Sequence, residues 1–444
     1  MFDPRRPSAI AWFVLAAALI GLAAASPAAA QGTTASRTPI SELQAAQLLF
    51  KAGHLAEAKR VLADLERASP NDNEVQFLLG LVSVEEKNYA DAIHRFRAIL
   101  VREPKAARVR LELARAFFLA KDYDNAERQF RLARAGDLSP AVEANIDQYL
   151  GAIRRQRRWS YNLSLALVPD TNEGAGPNVG TVSLFGLPFE LSASARQHSG
   201  LGAAVDAGAE WSPPITKTVR ARVGLQLDSI DYGQTAFDDT TLAAYVGPQF
   251  LGKRWDVSPL AAGFERWYGG RFYNEGLGGS LQGDFYPMSR LGLNGVIGVQ
   301  TVSFRPPKSQ DGLSLSGSLG FLYTLDVRSA VSGGVSVSRQ QAQSAVFANT
   351  ASQVRLGYAC DLPFGYSVLI QPSYAWIDYD QAEAAFGVRR RDRQWQGQVS
   401  ILNRRIDIYG FTPQLSYIHT QNASDIRLYA YERDQIRIGV TRQF

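Results

Sequence analysis

From Trp159 to Phe444 the apolar residues of this chain recur at every second position, whereas before Gly151 they recur with a helical period. That switch constrains the fold more than any single motif. A period of two belongs to strands with unlike faces, and a period near 3.6 belongs to amphipathic helices. In residues 219–228, Val219, Ala221, Val223, Leu225 and Leu227 share one face, while Arg220, Arg222, Gly224, Gln226 and Asp228 share the other. Near the end, Ile436, Ile438 and Val440 oppose Gln435, Arg437, Gly439 and Thr441. Of the 38 glycines, 32 follow Trp159, which removes helical periodicity from that part of the chain.

Alternation over about ten residues, with bulky apolar positions and aromatics such as Trp211, Trp255, Trp267, Tyr286, Tyr366 and Trp376 near segment ends, is the pattern of a transmembrane β-barrel. A soluble sandwich alternates too; the size of the outward residues and the terminal aromatics favour the membrane. About fourteen segments are expected between 159–168 and 430–444, including 275–286 and 407–420. Short connections near 251–253, 286–290, 327–329, 363–364 and 404–405 alternate with longer ones at 169–199, 232–239, 305–311, 342–349, 380–390 and 421–429. Long loops face outward in such barrels, which puts the N-terminal part of the chain on the periplasmic side. After the N-terminus no stretch approaches the ~18 consecutive apolar residues of a spanning helix, so any crossing is made by strands.

Residues 1–30 have Arg5 and Arg6, an apolar run and an Ala28-Ala29-Ala30 site, the layout of a secretory signal peptide. Residues 31–40 form a small, polar, flexible leader, and residues 41–157 a helical domain. There a 34-residue spacing relates Leu55, Tyr89 and Tyr123; Ala58, Ala92 and Ala126; Ala46, Gly80 and Ala114; and Leu62, Phe96 and Phe130. These columns, with Pro70 and Pro104 closing repeats, resemble the tetratricopeptide pattern. Three stacked helix pairs and a capping helix from Ser139, with Pro140 as its first residue, are expected. The family likeness implies a surface that binds peptides or partner proteins; a rigid spacer is the plainer alternative. The fold class is therefore α+β multidomain: an all-α solenoid, then an antiparallel barrel at 159–444.

At the junction, Arg154, Arg155, Arg157 and Arg158 precede Trp159 and Tyr161, the order of a chain passing from water through headgroups into a bilayer. Arg389, Arg390, Arg391 and Arg393 are expected at the opposite surface, either against lipid phosphates or in a solvated loop. Arg220, Arg222, Asp228, Arg355 and Arg437 fall on the polar face and would line an aqueous lumen. Phe444 ends the last strand with an aromatic, similar to the signal read by the machinery that assembles outer-membrane barrels.

Little points to catalysis. His54, His94, His198 and His419 show no metal-ligand spacing, and neither His198 nor His419 has a recognisable partner nearby in sequence. Gly276, Gly278, Gly279 and Gly283 lie in a strand with no helix after it, so they suit barrel curvature and not a dinucleotide. Cys360 is the single cysteine and reads as a small apolar residue. The expectation is a protein that is not an enzyme, with no cofactor or metal, and a net charge of +5 that gives no case for nucleic acid.

Leu167-Val168-Pro169-Asp170-Thr171-Asn172 ends the first strand, and Gly186-Leu187-Pro188-Phe189-Glu190-Leu191-Ser192 lies in the first long connection. With the signal peptide, the repeats and the barrel, they resemble the surface lipoprotein assembly modifier family of Gram-negative bacteria. Pro169, Asp170, Thr171 and Asn172 would be a translocon motif, and Gly186, Leu187, Pro188 and Phe189 a loop motif. Glu173-Gly174 follow where the family pattern would continue Ile-Asn. The resemblance implies an outer-membrane translocon that helps export or display surface lipoproteins or secreted haem- and metal-acquisition proteins. The bilayer, a cargo protein, a periplasmic chaperone and the barrel-assembly machinery would be its partners. From residues alone, 170–172 also suit an Asx turn, residues 169–199 are long enough to fold inward as a plug, and a passive or polysaccharide-conducting porin with a scaffold-binding repeat domain is the alternative function.

Overall fold

The computed structural model describes residues 41–443 apart from 135, 137, 289, 407 and 409. The expected signal peptide, the leader at 31–40 and Phe444 lie outside the described residues.

Seven helices come first: α1 (Glu42–Lys51), α2 (Leu55–Ala68), α3 (Asn73–Glu85), α4 (Tyr89–Arg102), α5 (Ala107–Leu119), α6 (Tyr123–Ala133) and α7 (Pro140–Gln156). The sequence columns are their core. Ala46, Ala58, Ala92, Ala114 and Ala126 are wholly buried, as are Leu62 and Phe96, and Phe130 nearly so. Each such large apolar side chain contributes about 1.5–3 kcal/mol. Gly80 lets α3 and α4 cross closely, because a Cβ there would sit 2.5 Å from the Phe96 ring. The turn inside each repeat has a left-handed residue, and these too are 34 apart: Gly53 (φ 82°), Lys87 (φ 62°) and Lys121 (φ 64°). Asp72, Asn88 and Asp122 cap α3, α4 and α6 with side-chain oxygens. Ser139 and Pro140 begin α7 as expected, although Ser139 makes no side-chain cap bond. No helix among the described residues is long and apolar enough to cross a membrane.

Fourteen antiparallel strands then close into a barrel. They are β1 (Trp159–Asp170), β4 (Gly200–Trp211), β5 (Val219–Tyr232), β6 (Asp239–Leu251), β7 (Trp255–Tyr268), β8 (Arg271–Met288), β9 (Leu291–Phe304), β10 (Gly312–Thr324), β11 (Ser329–Gln340), β12 (Asn349–Asp361), β13 (Tyr366–Glu383), β14 (Val388–Asn403), β15 (Thr412–Ser424) and β16 (Tyr431–Gln443). Between β1 and β4 a small hairpin, β2 (Thr181–Leu184) and β3 (Leu187–Glu190), stands apart. Neighbours in sequence pair with each other, and the ring closes where β1 pairs with β16. Leu165, Leu167, Val223, Leu225, Leu277 and Ile297 are exposed on the outer face. On a strand of period two, that apolar outside leaves the alternate polar residues for the lumen.

Three sequence expectations need correction. The connection at 380–390 is not a loop: β13 and β14 pair on to Glu383 and Val388, after a register shift between Asp378 and Ala382 that absorbs the break in alternation. β8 starts at Arg271, because Gly269 and Gly270, both at positive φ, turn the chain in two residues. The segment 407–420 is strand only from Thr412, since Gly410 at φ 86° bends the backbone just before it.

Candidate functional site: the seam and the two mouths of the barrel

At the end of the seam away from the helices, called the outer end, the Asp170 side chain is fully buried at the end of β1. Its Oδ2 accepts from Arg433 Nη2 at 2.6 Å, Tyr232 OH at 2.7 Å and Gln435 Nε2 at 2.8 Å. Its Oδ1 accepts from Arg433 Nε at 3.1 Å and Asn172 N at 2.9 Å. The last of these is the Asx turn; the others tie β1 to β16 and β5. Thr171 exchanges two hydrogen bonds with the Asp434 backbone, its N donating to Asp434 O at 3.0 Å and its Oγ1 accepting from Asp434 N at 2.8 Å. Asn172 Nδ2 donates to Glu432 O at 2.9 Å and to Gly176 O at 2.8 Å. Pro169 faces outward, beside Leu167. Asp170, Thr171 and Asn172 are thus brought together, and they fasten the first strand to the last. A buried carboxylate with so many donors is compensated as a buried charge must be.

From this latch the chain enters the β2–β3 hairpin, whose two turn residues, Phe185 (φ 51°) and Gly186 (φ 78°), both take the left-handed conformation of a tight hairpin. The tip leans to the far hairpin β13–β14, where Phe185 N donates to Ala385 O at 2.6 Å. The connection therefore spans part of the outer mouth, past β16 and β15. All four β3 residues are exposed, while Val182 and Leu191 of the same connection are buried. Of the loop motif, Gly186 makes the turn, and Leu187 and Phe189 are exposed with Pro188 between them.

Inside the barrel, Arg222 reaches across strands. It bonds Glu210 Oε2 at 2.7 and 3.0 Å, Ser258 Oγ at 3.1 Å and Gln282 Oε1 at 3.3 Å, while Tyr245 OH donates to the same Glu210 oxygen at 2.5 Å. Gly224 makes this possible, since a Cβ there would meet the Tyr245 ring at 2.1 Å. Arg437 pairs with Asp206 at 3.2 Å. Asp228 and Arg355 are exposed, each with a single distant glutamine bond at 3.4 Å. Arg220 is different: it is buried at the inner rim, giving its guanidinium to Ser212 O and to Arg154 O.

That last bond is one of several joining the helices to the inner turns. Arg128 Nη2 lies 3.1 Å from Asp361 Oδ1, Arg131 stacks 4.6 Å from the Tyr286 ring centre, and Arg154 Nη2 donates to Lys253 O at 3.1 Å. Burial pushes the nearby Arg110 guanidinium down to about 10, against the pull of Asp361. These anchors run from β5 to β12, so α5–α7 lie under the inner mouth. Arg157 turns back to Asp124 and Glu127 on α6 and not toward lipid, because two carboxylates within reach outweigh solvation at the surface. Arg155 folds over Gly151, Arg158 is exposed, and Trp159 packs against Trp211 with 6.1 Å between rings. Tyr161 is exposed beside Arg442.

The outer arginines are not a loop. Arg390 pairs with Asp392 at 2.7 Å between the Tyr379 and Tyr429 rings, Arg391 pairs with Asp425 at 2.8 Å, and Arg393 with Asp378 at 3.4 Å. Both barrel histidines gain carboxylates from folding: His198 lies 2.9 Å from Glu173, and His419 Nδ1 2.8 Å from Asp434. Tyr232, Arg433 and Gln435 were missed from the sequence. The period-two pattern does put Arg433 and Gln435 on the polar face of β16, and barrel closure makes β16 meet β1, but neither gives the register that sets them beside Asp170.

The family described as "Surface lipoprotein assembly modifier" matches residues 159–444, the entire barrel. The chain belongs to this family. The tetratricopeptide repeat family matches residues 43–93 and 83–143. Surface lipoprotein assembly modifier 1 of Haemophilus influenzae is 23% identical over 403 residues, covering 87% of this chain and 82% of its own. The surface lipoprotein assembly modifier of Moraxella catarrhalis is 24% identical, covering 88% and 78%. Hemophilin secretion modulator of Acinetobacter baumannii is 22% identical, covering 83% and 78%. Glu173 and Gly174, which follow the latch, are accommodated locally. The Glu173 carboxylate lies over Gly200, where a Cβ would be 1.8 Å from its Oε2, and Gly174 leaves room for the Phe237 ring.

Proposed function

We propose that this protein is an outer-membrane translocon that carries specific partner proteins to the cell surface. The observation that carries this reading is the docking of the repeats directly onto the barrel's inner turns, through Arg128–Asp361, Arg131–Tyr286 and Arg154–Lys253. A protein-binding fold is thereby held beneath a polar conduit. With the long β1–β4 connection and the extended β13–β14 hairpin at the opposite end, the repeats face the periplasm and receive cargo, or a chaperone holding it. Fourteen strands make a barrel wider than the eight-stranded kind filled by side chains and slightly narrower than a porin. Such a lumen suits an extended chain and excludes a folded domain. The relatives' names point to surface lipoproteins or a haem-binding secreted protein as the cargo class.

Deleting residues 31–150 should leave a folded barrel that no longer displays cargo. Cargo display equal to that of the full chain would overturn the proposal. A porin would conduct steadily in a planar bilayer, whereas a mouth bridged by a hairpin and underlain by helices should be mostly closed.

A further inference from the structure

The repeats and the barrel do not meet flush. Between α6–α7 and the inner turns β4–β5, β6–β7 and β8–β9 lies a cavity of about 690 Å³. Seven of its lining residues are cationic and two are carboxylates. The carboxylates are spoken for: Glu127 holds Arg131 at 2.6 Å, and Asp147 holds Arg134 at 2.7 Å. Arg154, Arg155, Lys217, Lys253 and Arg254 remain, none with a carboxylate at ion-pair distance among the described residues. They come from three separate stretches of chain, so this is not a charge run on one solvated face. Like charges brought together repel unless an anion sits among them.

The surroundings identify the anion's source. The same end of the barrel presents exposed Trp159, Trp211, Trp255 and Phe285 on its outer face, an aromatic girdle of the sort that marks the headgroup level. Leu251 and Met288 line the cavity beside the cations, giving apolar surface where an acyl chain would begin. Gly151 lets Arg155 lie back along α7, since a Cβ there would be 3.3 Å from its Nη1.

We infer that this cleft binds the phosphate of an anionic glycerophospholipid from the inner leaflet, clamping the repeats to the barrel. The inference uses the barrel's placement in a bilayer and does not depend on protein export. Arg154, Arg155, Lys217, Lys253 and Arg254 supply the charge, and the bound lipid touches both α7 and the barrel turns.

The test uses the full chain reconstituted in phosphatidylcholine vesicles doped with phosphatidylglycerol, then re-extracted, with lipid retained per protein measured by native mass spectrometry. Phosphatidylglycerol should be enriched at least roughly tenfold over phosphatidylcholine, as a few interfacial cations provide. Lys217→Gln/Lys253→Gln/Arg254→Gln should abolish that enrichment, and Arg271→Gln/Arg305→Gln at the outer end should keep it. Heat-modifiable gel migration checks assembly; if the triple variant fails it, Lys253→Gln alone decides, with a drop expected. Equal retention by wild type and variant overturns the inference. So does displacement of the lipid by inorganic phosphate at matched concentration, which would mark a free-phosphate site.

Discussion

Asp170 and Arg433 are 263 residues apart in the chain and 2.6 Å apart in the fold, one on the first barrel strand and one on the last. Their pairing puts the charge of the Asp170 motif to mechanical use. Tyr232 and Gln435 bond the same carboxylate oxygen, and Thr171 and Asn172 continue the contact along the Asp434 and Glu432 backbone. A seam between first and last strands is where a barrel has no covalent hairpin to hold it.

Breaking the latch should loosen the barrel. Asp170→Ala leaves the Arg433 guanidinium without its carboxylate, at a cost of about 3–5 kcal/mol for a buried pair. The check is the urea concentration at which heat-modifiable gel migration is lost. A midpoint equal to wild type would show that the strand ladder alone seals the seam.

The hairpin over the outer mouth should govern conductance. Removing residues 181–190 deletes the contact from Phe185 N to Ala385 O without touching the latch. Single-channel recordings should show a longer open time than the full chain gives. No change would mean that the closure lies at the inner mouth.

In the repeats, Gly80→Ala forces a methyl to within 2.5 Å of the wholly buried Phe96 ring. Overpacking of this sort costs about 1–3 kcal/mol. The helical circular dichroism signal should melt earlier, with barrel migration unchanged. Phe96→Ala should cost more, about 3–5 kcal/mol.

Acid should weaken the first two repeats. Burial alone would raise Glu66 and Asp91, but Arg95 with Gln76 at the first, and Ser83 with Arg95 at the second, hold both below their ordinary 4.5 and 3.8. Carboxyls depressed by folding stabilise above the unfolded values, and that stability goes as pH falls through the folded ones. Arg95→Gln should therefore lower the helical melting point at pH 7, where the network is worth about 1–2 kcal/mol. The gap should narrow below about pH 4. A constant gap would mean that Arg95 acts by packing alone.

How much of this was legible in the sequence depends on the range of the interaction. Ala58, Ala92 and Ala126 announce their burial through spacing, because a repeat core is set by near neighbours in the chain. Val223 and Leu225 announce their outward face through alternation. By contrast, nothing in the run of arginines 154–158 tells that Arg157 meets Asp124 while Arg158 stays exposed. That depends on how α7 leans on α6. The partnership of Asp170 with Tyr232 likewise exists only once β4 separates their strands by one place in a closed ring. The extended β13–β14 hairpin was hidden for a local reason: its bulge breaks the alternation that marks a strand.

The latch also has a bearing on time. Asp170 and the arginine that neutralises it sit on the two strands whose pairing closes the ring. Until β1 and β16 meet, the two edges of the open sheet hold unmatched opposite charges that are costly to bury. A truncated or misregistered product never acquires the match. The same carboxylate that seals the finished wall thus acts as a test of completeness, letting the ring close at full stability only around an intact final strand.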